Sequence, residues 1–214
     1  IYEAHMTDES SHPYAGVIIV NNYGNQTLAS NTGMYTWIRR VNYFLEKIST
    51  AKISKENITA LKAECRFLRA YYYFDLAKKY GGMPIIDAVQ SFTGNLETIL
   101  TPRSTEEQLY DFILSELDSA IADLPDSRDA NNANRAVKLT AQALKSRVAL
   151  YAGSIAKYGK IQFGGLVGIS ASKANTYFTA SMNSAKAIMN DGRYKLYTKA
   201  YDPASKSGDP AENY

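Results

Sequence analysis

The chain has 214 residues and a formal net charge of +3; 45% of the residues are hydrophobic and 21% charged. That composition predicts a packed globular core, and the scattered basic residues exclude the clustered cationic stripe a nucleic-acid partner requires. No apolar run approaches the ~20 residues of a membrane-spanning helix, and the single cysteine, Cys65, excludes an internal disulfide framework.

Ile1 is not an initiator and no secretory signal stands at the start, so a processed or trimmed beginning is expected. Residues 1–33 carry no sustained periodicity. Turn-forming residues (Ser10, Ser11, His12, Pro13, then Asn21, Asn22, Tyr23, Gly24, Asn25) surround one apolar run at 17–20, which predicts loops with a short strand. Helical periodicity begins near residue 35. Ile38, Val41, Leu45 and Ile48 recur at three- and four-residue spacing and form one apolar face on a helix over about 35–49.

A second helix is capped by Ser54, runs to Tyr80 and stops at Gly81-Gly82, with Pro84 beyond. Its stripe, Ala63, Phe67, Ala70, Phe74 and Ala77, alternates small and aromatic side chains, and Phe67, Ala70, Phe74 and Ala77 are expected to be buried against neighbouring helices. A third helix opens at Ser104 with Glu107 three residues on, the pattern of a capping box. It carries Leu109, Ile113, Leu117 and Ile121 and ends at Leu124-Pro125. A polar linker at 126–134 leads to an Ala- and Leu-rich fourth helix over about 137–158. A Gly-rich stretch at 163–172 precedes a fifth helix over about 173–190, stopped by Asp191-Gly192, and Tyr194-Lys195-Leu196 reads as a short extended stretch. The final residues, Ala211 to Tyr214, close no element, which suggests an unfinished domain.

The second and fourth helices read as copies. At an offset of 78 (139 minus 61), Leu61, Ala63, Arg69, Tyr73, Lys79, Tyr80 and Gly81 meet Leu139, Ala141, Arg147, Tyr151, Lys157, Tyr158 and Gly159. The first and third match less strictly at an offset of 72, with Ile38, Val41 and Leu45 over Tyr110, Ile113 and Leu117. Helix-turn-helix units of ~34 residues in which alanine alternates with aromatics are the tetratricopeptide pattern, here with longer connections. One such unit cannot bury its own apolar face, so neighbours must stack. The fold class expected is all-α, with tetratricopeptide-like helical hairpin repeats and long irregular loops.

The run Ala63-Glu64-Cys65-Arg66-Phe67-Leu68-Arg69-Ala70-Tyr71-Tyr72-Tyr73-Phe74-Asp75-Leu76, closing at Tyr80-Gly81-Gly82-Met83-Pro84-Ile85-Ile86, closely resembles the most recognisable segment of SusD/RagB-like proteins. Further stretches agree in order: Trp37 with Val41-Asn42-Tyr43-Phe44-Leu45; Arg103-Ser104-Thr105 through Leu124-Pro125; Asn134-Arg135-Ala136 with Ala141, Ala143-Leu144, Arg147 and Leu150-Tyr151; then Ala185-Lys186-Ala187-Ile188 and Gly192-Arg193-Tyr194. The resemblance covers most of residues 35–197. It implies a lipid-anchored protein on the extracellular face of the outer membrane, which binds oligosaccharide or polysaccharide as a lid over a SusC-like TonB-dependent transporter. It divides the chain into an irregular N-terminal segment (1–34), the repeat region (35–197) and the start of a SusD/RagB C-terminal region (198–214), an incomplete SusD-like domain. The family's lipid-bearing N-terminal cysteine has no counterpart here, since Cys65 is internal and helical.

No catalytic constellation is expected. Glu64 and Asp75 are eleven residues apart, roughly 16 Å along a helix, whereas paired glycosidase carboxylates sit about 5–10 Å apart. With Arg66 and Arg69 they are expected to be solvated or ion-paired structural charges. His5 and His12 have no second His/Cys cluster, so no metal site is expected, and no cofactor fingerprint occurs. The Gly-rich stretch lacks the lysine and strand-to-helix context of a phosphate loop. Cys65 reads as a packing residue.

Sugar binding asks instead for aromatic faces beside amides. Asn21, Asn22, Tyr23, Asn25 and Gln26 form the one such local cluster and are the candidate ligand-binding residues, with plain turn residues as the alternative. Trp37 is expected in the core, and Tyr71, Tyr72 and Tyr73 point to different sides of one helix, so they cannot make a single platform. The leading reading is therefore a non-enzymatic glycan binder. The alternative is a helical-repeat scaffold for protein partners, with a glycoside hydrolase a distant third.

Overall fold

The structure, a computed structural model, describes residues 31–195. The expected strand at 17–20 and the C-terminal segment at 198–214 lie outside the described residues. Five α-helices follow in order: α1 (Asn31–Lys47), α2 (Lys55–Tyr80), α3 (Glu106–Asp123), α4 (Lys138–Tyr158) and α5 (Ala174–Asp191). Each packs chiefly on the next, α1 on α2, α2 on α3, α3 on α4 and α4 on α5. Stacked antiparallel hairpins are what the periodicity predicts, and the described residues contain no strand beyond isolated bridges at Phe163 and Gly164 with Val167.

Local chemistry sets the helix ends. The Ser54 side chain accepts the Asn57 N–H and starts α2, while Gly81 ends it at a φ of 68°, where a side chain would also meet the Leu166 carbonyl at 2.4 Å. At α3 the capping box is one residue later than expected. Thr105, not Ser104, is the N-cap: its hydroxyl accepts the Gln108 N–H at 3.1 Å, and its own N–H donates to Gln108 Oε1 at 2.9 Å. Ser104 is engaged elsewhere, its hydroxyl donating to the Met83 carbonyl at 2.7 Å. Glu107 faces the Gly-rich stretch and pairs with Lys173 at 3.3 Å. Thr105→Ala is expected to cost about 1 kcal/mol of stability, read as a lowered urea midpoint; an unchanged midpoint would mean the box contributes nothing.

The core is one cluster drawn from all five helices, including Ile38, Ala70, Phe74, Leu109, Ile113, Leu117, Val148, Ala152 and Tyr177. Ala63, Ala70, Phe74 and Ala77 of the predicted α2 stripe are buried. Phe67 is only half-buried, packed at the edge of this cluster, because α2 lies closely against α1 and α3 but touches α4 lightly.

The repeat is real in packing but shifted from its sequence alignment. Burial recurs at an offset of 79 (148 minus 69): Arg69, Ala70, Tyr73, Phe74 and Ala77 are buried in α2, and Val148, Ala149, Ala152, Gly153 and Ala156 in α4. At the offset of 78 that aligns the helix ends, buried Arg69 and Tyr73 fall on exposed Arg147 and Tyr151. The side chains of α4 are smaller because α5 approaches closely; a Cβ on Gly153 would stand 2.8 Å from the Phe178 ring.

Candidate functional site

Asn21, Asn22, Tyr23, Asn25 and Gln26 lie outside the described residues, as do His5 and His12. The described residues begin at Asn31, with α1. Tyr35 donates its hydroxyl to the Pro84 carbonyl at 2.8 Å, Asn42 donates to the carbonyls of Ile86 (2.9 Å) and Ala88 (3.2 Å), and Arg39 donates to the Gln90 carbonyl at 2.7 Å. Tyr73, fully buried, receives the Ile86 N–H at 2.7 Å. These side chains fasten the extended segment 84–90 across α1 and α2, satisfying backbone groups that no helix or sheet ladder serves. The helices α1 and α2 thus hold the 84–90 segment in place.

Trp37 is not in the core. It is 47% exposed, because the apolar stripe of α1 runs through Ile38 and Val41, and Trp37 stands about 100° round the helix from Ile38. Its ring stacks with Tyr72 at 6.4 Å and 27°, and the Arg40 guanidinium lies 4.4 Å from its centroid. Tyr71 meets Tyr72 edge-on at 6.1 Å and is itself 51% exposed. The three consecutive tyrosines do point to different sides, as expected, with Tyr73 inward. Trp37, however, joins Tyr72 and Tyr71 into a surface band that sequence spacing did not reveal. The missed signal was the stripe phase of α1, which leaves position 37 off the buried face.

Glu64, Arg66, Arg69 and Asp75 of α2 are ion-paired. Glu64 pairs with Arg128 at 3.1 Å and with Arg135, both brought by the connection between α3 and α4. Asp75 pairs with Lys78 and Lys79 at 3.3 and 3.0 Å. Glu116 of α3 takes Arg66 at 2.8 Å and Arg69 at 2.7 Å. Cys65 is half-buried, and desolvation pushes its thiol up to about 11, away from nucleophilic use. No group of three His, Cys, Asp or Glu side chains placed to hold a metal occurs among the described residues.

The Gly-rich stretch braces the repeats. Leu166 accepts the Gly82 N–H at 2.7 Å, Gly165 accepts the Glu106 N–H at 2.8 Å, and the Glu106 carboxylate takes the Gly168 N–H at 2.6 Å. Burial pushes the Glu106 carboxyl up, with the Gly168 N–H drawing it partly back. The Gly168 N–H and the Gly165 and Leu166 carbonyls are therefore engaged by the protein's own groups.

A family profile described as "Starch-binding associating with outer membrane", SusD-like, matches residues 4–150. The chain belongs to the SusD-like family. Among curated proteins it is similar to SusD-like protein P2 of Formosa agariphila, 27% identical over 148 residues, which are 64% of this chain and 28% of that protein. A crystal structure of a SusD-like protein from Bacteroides fragilis superposes with a TM-score of 0.62 at 31% identity, covering 78% of this chain and 28% of the other. A laminarin-binding SusD-like protein gives 0.53 at 27% identity, with 57% of this chain and 26% of the other covered. The chain thus spans little more than a quarter of the relatives it matches, and its helical repeats are a part shared with them. No helix among the described residues is long and apolar enough to cross a membrane.

Proposed function

We propose that the intact protein captures oligosaccharide or polysaccharide at the cell surface without cleaving it, and passes it to a SusC-like TonB-dependent transporter. It is held on the extracellular face of the outer membrane by a lipid on a cysteine outside this chain. The observation that carries this reading is the match of residues 4–150 to a family described as starch-binding and associated with the outer membrane. The laminarin-binding relative supports a glycan as the ligand. The ion pairs that occupy Glu64 and Asp75 support a role without hydrolysis for these helices. Residues 35–197 serve in this reading as a rigid repeat platform, and residues 1–34 contribute one edge of the ligand site.

That edge is Tyr23 with Asn21, Asn22, Asn25 and Gln26: a ring to stack on a pyranose face and amides to read its hydroxyls. Loss of one stacking face costs about 1–3 kcal/mol by analogy with other flat ligands, roughly a five- to hundredfold loss of affinity. Calorimetry of the full-length protein and its Tyr23→Ala variant, against the glycan degraded by enzymes encoded beside it, is expected to show that loss with no release of reducing ends. Equal affinities would move the site elsewhere, and no binding by the wild type would end the glycan reading.

A further inference from the structure

A groove of about 290 Å³ opens between α2 and α4, away from residues 1–30 in the sequence. Buried Phe74 and half-buried Leu144 line it from within. Each helix adds one exposed tyrosine with a charged residue a helical turn away, Tyr71 and Asp75 from α2 and Arg147 and Tyr151 from α4, and α2 also adds Lys78. The two tyrosines are 51% and 45% exposed, and Tyr151 is fixed edge-on against Phe74 at 5.3 Å and 88°. The two rings thus present apolar surfaces beside hydrogen-bonding groups, the combination a pyranose ring needs.

The charges of this groove are unbalanced. Asp75 is already answered by Lys78 at 3.3 Å and Lys79 at 3.0 Å, and Lys78 also lies 5.2 Å from the Phe74 ring. Arg147 is exposed and has no carboxylate or other hydrogen-bond partner among the described residues. A planar fork of donors held free beside two tyrosines matches a carboxylate or a sulfate on a sugar. We propose that this groove is a second saccharide subsite that takes an anionic sugar unit, with Arg147 receiving the acid group and Tyr71 and Tyr151 flanking the ring. The proposal rests on the glycan-binding reading and narrows it to an acidic glycan at this position.

Calorimetry of the full-length protein with tetragalacturonate, a sulfated galactan tetrasaccharide and neutral laminaritetraose tests it. At least one of the two acidic probes is expected to bind, more weakly as salt is raised. Arg147→Gln and Tyr151→Ala should each lower its affinity about tenfold or more, with Arg147→Lys between them and the wild type. Which acidic probe binds distinguishes carboxylate from sulfate recognition. Because Arg147 makes no hydrogen bond or ion pair among the described residues, Arg147→Gln should keep the wild-type melting temperature. No binding of either acid, acid binding that Arg147→Gln leaves unchanged, or a groove that tracks Tyr151→Ala only for laminaritetraose overturns the anionic subsite. Binding of the native glycan that still weakens in Tyr23→Ala would leave the broader function standing; no saccharide binding at all would remove both.

Discussion

Ala70→Glu is expected to destabilise the protein by on the order of 3–5 kcal/mol, the cost of a buried charge without a partner. Ala70 is fully buried in the middle of α2, with the buried side chains of Phe74 and Ala77 on the same helix face. A carboxylate there would displace packed atoms and lose its water together. Net stabilities are typically about 5–15 kcal/mol, so the variant should unfold at far lower urea or fail to fold. Leu68→Glu is the matched control, since Leu68 is 39% exposed on the same helix and exposed changes usually stay within about 0.5 kcal/mol. Equal urea midpoints for the two variants would sink the account of α2 as the central packing helix.

That contrast also shows where sequence was informative. Ala63, Ala70, Phe74 and Ala77 were legible because a 3.6-residue period and the size of alanine dictate which side of a helix can be approached. The ends of α2 were legible because Ser54 and Gly81 act through their own backbone neighbours. Failures came where a decision depended on a distant partner. Ser104 and Thr105 are both competent caps, and only the Met83 carbonyl, 21 residues away, decides which one is free to cap. Trp37 looks like core by composition, yet its environment is made by Tyr72 on another helix. Arg147 and Tyr151 align with Arg69 and Tyr73 by identity, but the packing register of α4 runs one residue later and turns both outward. Of the candidate site, the sequence could offer Tyr23 and its amides by composition alone, while the groove between α2 and α4 required the pairing of helices.

Glu116→Leu is expected to cost a similar ~3–5 kcal/mol, for a different reason. Glu116 accepts from Arg69 at 2.7 Å and from Arg66 at 2.8 Å, and the side chains of Glu116 and Arg69 are only 6% and 5% exposed. Removing the carboxylate leaves the Arg69 guanidinium in the core with the Asn42 side chain and the Asp87 carbonyl as its remaining acceptors, at 2.7 and 2.8 Å. Arg66 contributes little to the loss, because its side chain is 40% exposed and such pairs are worth at most about 1 kcal/mol. Adding Arg69→Met removes the stranded charge, so the double variant should be more stable than the sum of the two single losses implies. It should not return to wild type, because Asn42 and the Asp87 carbonyl lose their donor, at about 1–3 kcal/mol for each buried group left unpaired. A double-mutant cycle by urea denaturation is expected to give a coupling of about 1–3 kcal/mol. Coupling near zero would mean that the two charges are solvated separately, and that Arg69 does not tie α1, the 84–90 segment and α3 into one body.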